Sequence, residues 1–143
     1  MNLYEQNDSL KPVCEFGRRA IDCKDWKWID GMQAIVYGKD FHEEIGNIRV
    51  DDSVNPINSR AFSFVIARSV PDFNDPQTVE CVLSLLRAVL NNDGVHLANE
   101  WSQSGERVVV CRYRRNKQKV WRVVSGRNAA EALTLVLENL NGN

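Results

Sequence analysis

The stretch from Phe16 to Tyr37 reads FGRRAIDCKDWKWIDGMQAIVY and predicts a helix end, a turn and a strand in succession. The helix begins near Pro12, which is tolerated in a first turn because its missing N–H would have no partner there. Lys24-Asp25 ends it. Helical spacing places four small or apolar residues on one face, which are Val13, Phe16, Gly17 and Ala20.

Two tryptophans follow this helix at a spacing of two residues. Strand side chains alternate, so an extended run from Trp26 to Ile29 would hold both indoles on one side. Asp30-Gly31 is typical of a two-residue hairpin turn, with Met32–Tyr37 as the returning strand. Trp26 and Trp28 are therefore interpreted either as core anchors, the usual role of large aromatic residues, or as rings that stack on a ligand.

The segment from Gly38 to Arg60 is polar and carries a weak pattern, with one short strand expected at Ile45–Val50. A connection of this length is uncommon unless it is functional or mobile. Ala61–Ala67 is rich in aromatic and branched residues and predicts a buried strand.

Two longer helices have clear apolar stripes. Asp75 can cap the first, Pro76 suits its first turn, and Asn91–Gly94 ends it. Its stripe consists of Val79, Val82, Leu83, Leu86 and Leu90. The second begins at Asn128, with Glu131 three residues on as a variant capping box. Its buried face consists of Ala129, Ala132, Leu133, Val136, Leu137 and Leu140.

Three strands lie between these helices, at Val95–Trp101, Arg107–Arg114 and Lys119–Val124, and their short connections predict an antiparallel meander. A length of 143 residues suits a single domain, residues 1–143. The expected fold is α+β. An antiparallel sheet, made of the C-terminal meander and the N-terminal hairpin strands, packs against two amphipathic helices, with a short N-terminal helix beside them.

Composition limits the classes of partner. A net charge of −1 argues against a protein that coats nucleic acid or a membrane with its whole surface. No apolar run approaches a membrane span, and the first twenty residues do not resemble a signal peptide, so a cytosolic protein with reduced cysteines is expected. Cys81 and Cys111 lie in apolar runs and are interpreted as small buried hydrophobes.

The strongest chemical signal is a basic segment from Arg107 to Arg127. It holds eight of the 18 lysines and arginines and no acidic residue, with Tyr113 and Trp121 interleaved. Arginine beside aromatic rings can hold phosphate and stack a base, so nucleic acid, a nucleotide or an acidic protein face are all eligible partners. The alternative is a solvated strand face whose cations discourage edge pairing. The candidate binding residues here are Arg112, Arg114, Arg115, Lys117, Lys119, Trp121 and Arg122.

Catalytic and metal-binding patterns are weak. Asp40, His42, Glu43 and Glu44 form the one cluster that resembles acid–base machinery, and a solvated loop is the preferred interpretation. Cysteine and histidine spacing does not suit zinc, and no phosphate loop or dinucleotide motif is present. We expect a protein without catalytic activity, metal or cofactor.

Three blocks of the sequence resemble small uncharacterised proteins of bacteriophages and prophages. FGRRAIDCKDWKWIDGMQ (16–33) is similar to their arginine pair, W-x-W and glycine-methionine turn. PDFNDPQTVECVLSLLRAVL (71–90) resembles their D-P-x-T helix start, and RNAAEALTLVLENL (127–140) their closing A-E-A-L helix. The chain departs from that pattern at Ile29-Asp30 and at Gln33, where proline and arginine are usual. The resemblance implies a phage or prophage origin and no particular activity.

These observations lead to a functional hypothesis with alternatives. The first is a non-catalytic phage- or prophage-encoded binding protein that acts on a host macromolecule in the bacterial cytoplasm, with a host or phage protein as the expected partner. Its most concrete version is an inhibitor of a defence system such as a CRISPR effector. The second is a sponge that sequesters an immune signalling nucleotide, with Arg112, Arg114 and Arg122 on its phosphates. The third is a nucleic-acid-binding accessory protein that uses the basic hairpin.

Overall fold

Helices and antiparallel strands alternate along the chain in the computed structural model, which describes residues 11–37, 44–51, 69–91, 94–114 and 120–141. The helices within these ranges are α1 (Lys11–Ile21), α2 (Pro76–Leu90) and α3 (Ala129–Asn141). The N-terminal sheet has the order β2-β1-β3, formed by β1 (Gln33–Tyr37), β2 (Glu44–Arg49) and β3 (Ser69–Pro71). The C-terminal sheet has the order β4-β5-β6, formed by β4 (Val95–Trp101), β5 (Arg107–Tyr113) and β6 (Arg122–Gly126). The predicted α+β class is confirmed, but the strands form two sheets rather than one.

The predicted hairpin around the two tryptophans is wrong. Residues 26–29 are not a strand, and β1 pairs instead with β2 on one side and β3 on the other. A strand has two edges, so β1 has none left for the tryptophan segment. Gly31 does adopt the positive φ expected at this turn, 104°. However, its N–H donates to Val50 O at 2.8 Å and extends the β1–β2 pairing.

The strand expected at Ile45–Val50 is confirmed as β2, which lies one residue earlier. The strand expected at Ala61–Ala67 lies outside the described residues, as do 38–43 and 52–60 of the long connection. The N-terminal sheet has a small apolar cluster of its own, in which Ile35, Tyr37 and Val70 are buried and Ile21 of α1 packs against them. This contact joins α1 to the sheet.

A network of polar contacts fixes the start of α2. Asp75 is the N-cap and accepts hydrogen bonds from Thr78 N at 3.0 Å and Thr78 Oγ1 at 2.7 Å. Arg49 of β2 donates to the same carboxylate at 2.6 Å and to Gly31 O at 2.8 Å. At the other end, Asn91 adopts the left-handed conformation that closes the helix. Both predicted ends of α2 are thus confirmed, and its N-terminus is tied to the N-terminal sheet.

The main core lies between the helices and one face of the C-terminal sheet. Asn128 caps α3 by accepting from Glu131 N at 2.9 Å, as predicted. The buried stripes of α2 and α3 share one cluster with the side of α1 that carries Phe16 and Ala20. The sheet residues in or packed against this cluster are Val95, Leu97, Val109, Cys111, Tyr113 and Val124. The predicted packing of both long helices on the meander is therefore confirmed.

The last strand of the meander differs from its prediction. It spans Arg122–Gly126 rather than Lys119–Val124, because Tyr113 at the end of β5 pairs with Arg122 and Val109 pairs with Gly126. Branched residues at 120–124 favoured an earlier start, but the register with β5 decides the pairing. Val120 and Trp121 consequently precede the strand.

The two cysteines interpreted as buried hydrophobes differ from each other. Cys111 is fully buried in β5, and desolvation raises its thiol pKa to about 11. Cys81 is only half-buried, and its Sγ donates to Asp30 O at 3.6 Å. The expectation is confirmed for Cys111. For Cys81 it is wrong as to full burial, because this residue lies beside the apolar stripe of α2 and faces the turn before β1.

Replacing Asp75 by alanine should lower the free energy of unfolding by about 1 to 2 kcal/mol, since Thr78 and Arg49 lose their shared acceptor. Asp75→Asn retains a capping side chain without the charge and should lower the free energy of unfolding less than Asp75→Ala does. The hydrogen bond from Arg49 is the main reason that the Asp75 pKa is lowered from 3.8, followed by opposing desolvation and the Thr78 bonds.

Stabilisation by this carboxylate is therefore present above pH 3.8 and is lost as the pH falls through the lowered folded-state pKa. Urea unfolding of wild type and Asp75→Asn, at pH 7 and at acidic pH, measures the difference. A gap between the two proteins that does not narrow in acid would contradict this assignment.

Candidate functional site

A tight turn between β4 and β5 sets the register of the C-terminal sheet. Gly105 N donates to Ser102 O at 3.0 Å, and Ser102 N donates to Glu106 O at 2.8 Å, so Ser102, just after β4, faces both Gly105 and Glu106, just before β5. Gly105 has φ 85°, a conformation that glycine adopts without strain and that is typical of this bulge. Trp101 consequently pairs with Arg107, and the register continues without a shift to Val95 and Tyr113.

Alternation along these strands separates two faces of the sheet. Leu97, Cys111 and Val124 are paired across the three strands and pack on the core, so they define the inner face. The next row, His96, Arg112 and Val123, must point to the opposite side, which we call the outer face. His96 and Val123 are exposed, Val123 to 59%.

An aromatic and cationic cluster lies at one end of the outer face. The Trp121 ring centroid is 5.9 Å from that of His96, and the Arg114 guanidinium carbon lies 5.1 Å from the Trp121 centroid. Trp121 remains 42% exposed, and Val123, two residues further on, lies on the same face. We call His96, Arg114, Trp121 and Val123 the outer-face patch. It combines a stacked cation with apolar surface that is accessible to a partner.

Arg112, a predicted site residue, is already engaged. Its guanidinium forms two hydrogen bonds with the Glu100 carboxylate on β4, one of them at 2.9 Å. The hydrogen bond from Arg112 is the main cause of the lowered pKa of Glu100. In the register of the strands, this pair passes over Ala98 and Val110, and Val110 is only 6% exposed. Arg112 therefore covers the centre of the outer face, and its charge is compensated by Glu100.

The other predicted cations have different surroundings. Arg127 pairs with Glu131 at 3.3 Å, whereas Arg107 and Arg122 are exposed and form no ion pair within the described ranges. Arg115, Lys117 and Lys119 lie outside these ranges. The basic segment contains no acid of its own, but β4 and α3 supply two carboxylates to it. Its positive charge is consequently smaller than the sequence indicates.

Trp26 and Trp28, the other predicted binding residues, pack against the main core. Their centroids are 5.4 Å apart with an interplanar angle of 88°, an edge-to-face arrangement that stabilises aromatic pairs. The Trp26 Nε1 atom is buried without a hydrogen-bond partner. This packing favours the core interpretation of both residues.

Two exposed residues of this sheet, His96 and Trp101, were not predicted as surface residues from the sequence. His96 alternates with the apolar residues Val95 and Leu97, a period-two signal that could have placed it on an exposed face. Trp101 is 73% exposed at the β4–β5 turn, opposite Arg107. Its position at the end of a strand gave no signal of such exposure, because tryptophan is usually buried.

No group of histidine, cysteine and acidic residues in the described part of the chain could hold a metal ion. The predicted cluster Asp40, His42 and Glu43 lies outside that part, and Glu44 begins β2. None of the helices that the structure describes has both the length and the apolar character of a membrane span. Comparison with protein-family models, curated proteins and solved structures finds no match to this chain.

The packing of the tryptophans predicts a contrast in stability. Trp26→Ala and Trp28→Ala should each lower the free energy of unfolding by about 2 to 4 kcal/mol, because each leaves a void against the core. Trp121→Ala should cost less than about 1 kcal/mol, since this ring lies on the surface. Urea unfolding followed by circular dichroism measures all three.

Trp26→Phe is the matched control, because it keeps most of the ring and removes only an N–H that has no partner. Trp26→Phe should therefore lower the free energy of unfolding much less than Trp26→Ala does. Equal and small costs for Trp26→Ala, Trp28→Ala and Trp121→Ala would return the first two tryptophans to the candidate site.

Proposed function

We propose that this protein is a non-catalytic binding protein that acts on an acidic protein of a bacterial host through the outer-face patch. The observation that carries the proposal is the exposed Trp121 ring with the Arg114 guanidinium 5.1 Å from its centroid and Val123 beside it. Tryptophan and arginine are enriched among the residues that dominate binding energy at protein interfaces. A partner that covers this ring would bury apolar surface and would contact the Arg114 guanidinium.

The distribution of exposed apolar residues supports the same surface. Five large hydrophobic residues are exposed within the described ranges, and three of them, Val120, Trp121 and Val123, lie within four positions of sequence. Scattered exposed residues are ordinary, whereas a local group beside cations is typical of an interaction site. Arg122 is exposed between Trp121 and Val123, but it pairs with Tyr113, so alternation directs it to the other side of the sheet.

A protein partner fits these charges better than a nucleotide or nucleic acid. The nucleotide hypothesis requires Arg112, Arg114 and Arg122 to hold phosphates, but the Arg112 fork is occupied by Glu100. Nucleic-acid binding relies on many uncompensated cations, and here Arg112 and Arg127 are both paired in a chain of net charge −1. A few cations around an aromatic ring suit a local acidic protein surface.

The resemblance of three sequence blocks to phage and prophage proteins supports a host protein as the target. The most concrete version of the proposal is an inhibitor of a bacterial defence system, such as a CRISPR effector, that works in the host cytoplasm. Occupying a functional surface of the target would suffice, so the inhibitor itself would need no catalytic group.

Affinity purification from nuclease-treated host lysate, followed by mass spectrometry, tests this proposal. Wild type should recover a stoichiometric acidic protein, and the double variant Arg114→Ala/Trp121→Ala should lose it at least about tenfold, since both contacts are removed. Trp101→Ala is the matched control, because it removes an even more exposed tryptophan at the opposite end of the sheet.

Recovery of no stoichiometric protein, or equal recovery by wild type and the double variant, would contradict the proposal. Loss with Trp101→Ala alone would move the site to the β4–β5 turn. A partner that disappears with nuclease treatment, and whose affinity falls steeply with salt, would support nucleic-acid binding instead.

A further inference from the structure

The β4–β5 turn determines which main-chain groups of the C-terminal sheet point outward. Ser102 and Glu106 form a hydrogen-bonded pair across the turn, so Trp101 and Arg107 form a non-hydrogen-bonded pair, and the two types alternate from there. On β5, residues 108, 110 and 112 therefore direct N–H and C=O toward β4. Residues 109, 111 and 113 direct theirs toward β6.

The pairing of β5 with β6 continues this alternation. Val109, Cys111 and Tyr113 pair with Gly126, Val124 and Arg122, so these residues of β6 bond to β5. Val123 and Ser125 must then direct their N–H and C=O groups away from β5, along the free side of β6.

A separate contact agrees with the alternation on the other side of the sheet. The alternation directs the Val95 carbonyl away from β5, and the Arg87 guanidinium of α2 donates to that oxygen at 3.3 Å. The beginning of the β4 edge is thus capped by α2. Within the described ranges, β6 pairs only with β5, and both Val123 and Ser125 are exposed. An edge strand with outward main-chain groups is a template for an added strand.

The charges around this edge favour an acidic occupant. Arg122 is exposed on β6 itself and the Arg114 guanidinium lies over the neighbouring Trp121, whereas Arg112 and Arg127 are compensated by Glu100 and Glu131. A second copy of this chain, paired through its own β6, would bring Arg122 and Arg114 of one copy close to those of the other. Like charges at close range oppose such a dimer, whereas an acidic chain gains attraction along the same edge.

We propose that the partner presents an extended acidic segment that adds to β6 as a fourth strand, bonded to the main chain of Val123 and Ser125. This inference rests on the proposed function and specifies how the partner binds. Main-chain bonds supply the pairing, while Trp121 and Val123 receive alternate side chains of the segment on the outer face. Exposed cations beside the edge select acidic residues in it.

Proline at selected positions tests the edge without disturbing the sheet. Val123→Pro removes an outward N–H and leaves the bonds between β5 and β6 in place, a position at which edge strands tolerate proline. Val123→Thr is the matched control, because it keeps the N–H and the branched side chain. Ser125→Pro provides a second variant of the same kind, and urea unfolding establishes that each protein is folded.

The probe is a displayed library of random twelve-residue peptides, selected on the wild-type protein. Enriched peptides should carry acidic residues and should bind Val123→Pro at least about tenfold more weakly than Val123→Thr. N-methylation of alternate residues in an enriched peptide tests the same bonds with the wild-type protein. One alternate set should weaken binding about tenfold and the other should not, because only one set faces β6.

The outcomes separate the two proposals. Acidic peptides that require Trp121 but tolerate Val123→Pro and both N-methylated sets would overturn strand addition and leave the proposed function standing. Failure to enrich acidic peptides would overturn strand addition by an acidic segment, and the purification with Arg114→Ala/Trp121→Ala would then decide the proposed function by itself. A dimer of the free protein that Val123→Pro dissociates would show that β6 serves a second copy, which also overturns the inference.

Discussion

The hydrogen bonding of β5 to strands on both of its sides is the constraint on which the rest of the structure depends. Because β5 is central in its sheet, each of its residues has a fixed side-chain face and a fixed main-chain direction. The inner face places Cys111 and Tyr113 in the core with α2 and α3. The same register places Arg112 on the outer face, together with the outer-face patch around Trp121.

Charge pairing across strands shapes the outer face as much as composition does. The Arg112–Glu100 pair spans the middle of the face, over Ala98 and Val110, and divides it into two ends. The outer-face patch lies beside this pair, whereas Trp101, at the β4–β5 turn, is exposed on the side of the sheet to which Leu97 belongs. The centre of the outer face is therefore occupied by an internal ion pair, and exposed apolar surface lies beside that pair at Trp121 and Val123.

Local signals in the sequence predicted much of the fold. Asp75 and Asn91 mark the ends of α2 through short-range capping, and alternation with short turns indicated the meander. Such local signals could not predict contacts between segments that are far apart in the sequence. The prediction of a hairpin around Trp26 was wrong because β2 and β3 pair with both edges of β1. The pairing of Arg112 with Glu100 was not predictable because Glu100 lies on another strand. Arginine and tryptophan marked the candidate surface, but only the register shows which of them share a face.

Hydrogen exchange of single amides in β6 tests the central claim most directly. If β5 holds β6 in the stated register, the Val124 amide is bonded to buried Cys111 and should exchange slowly. The Val123 and Ser125 amides face outward and should exchange at rates close to those of an unstructured chain. Nuclear magnetic resonance resolves the three rates in one experiment on the free protein. Uniform protection of all three amides, or slow exchange at Val123 and Ser125 with fast exchange at Val124, would contradict the account.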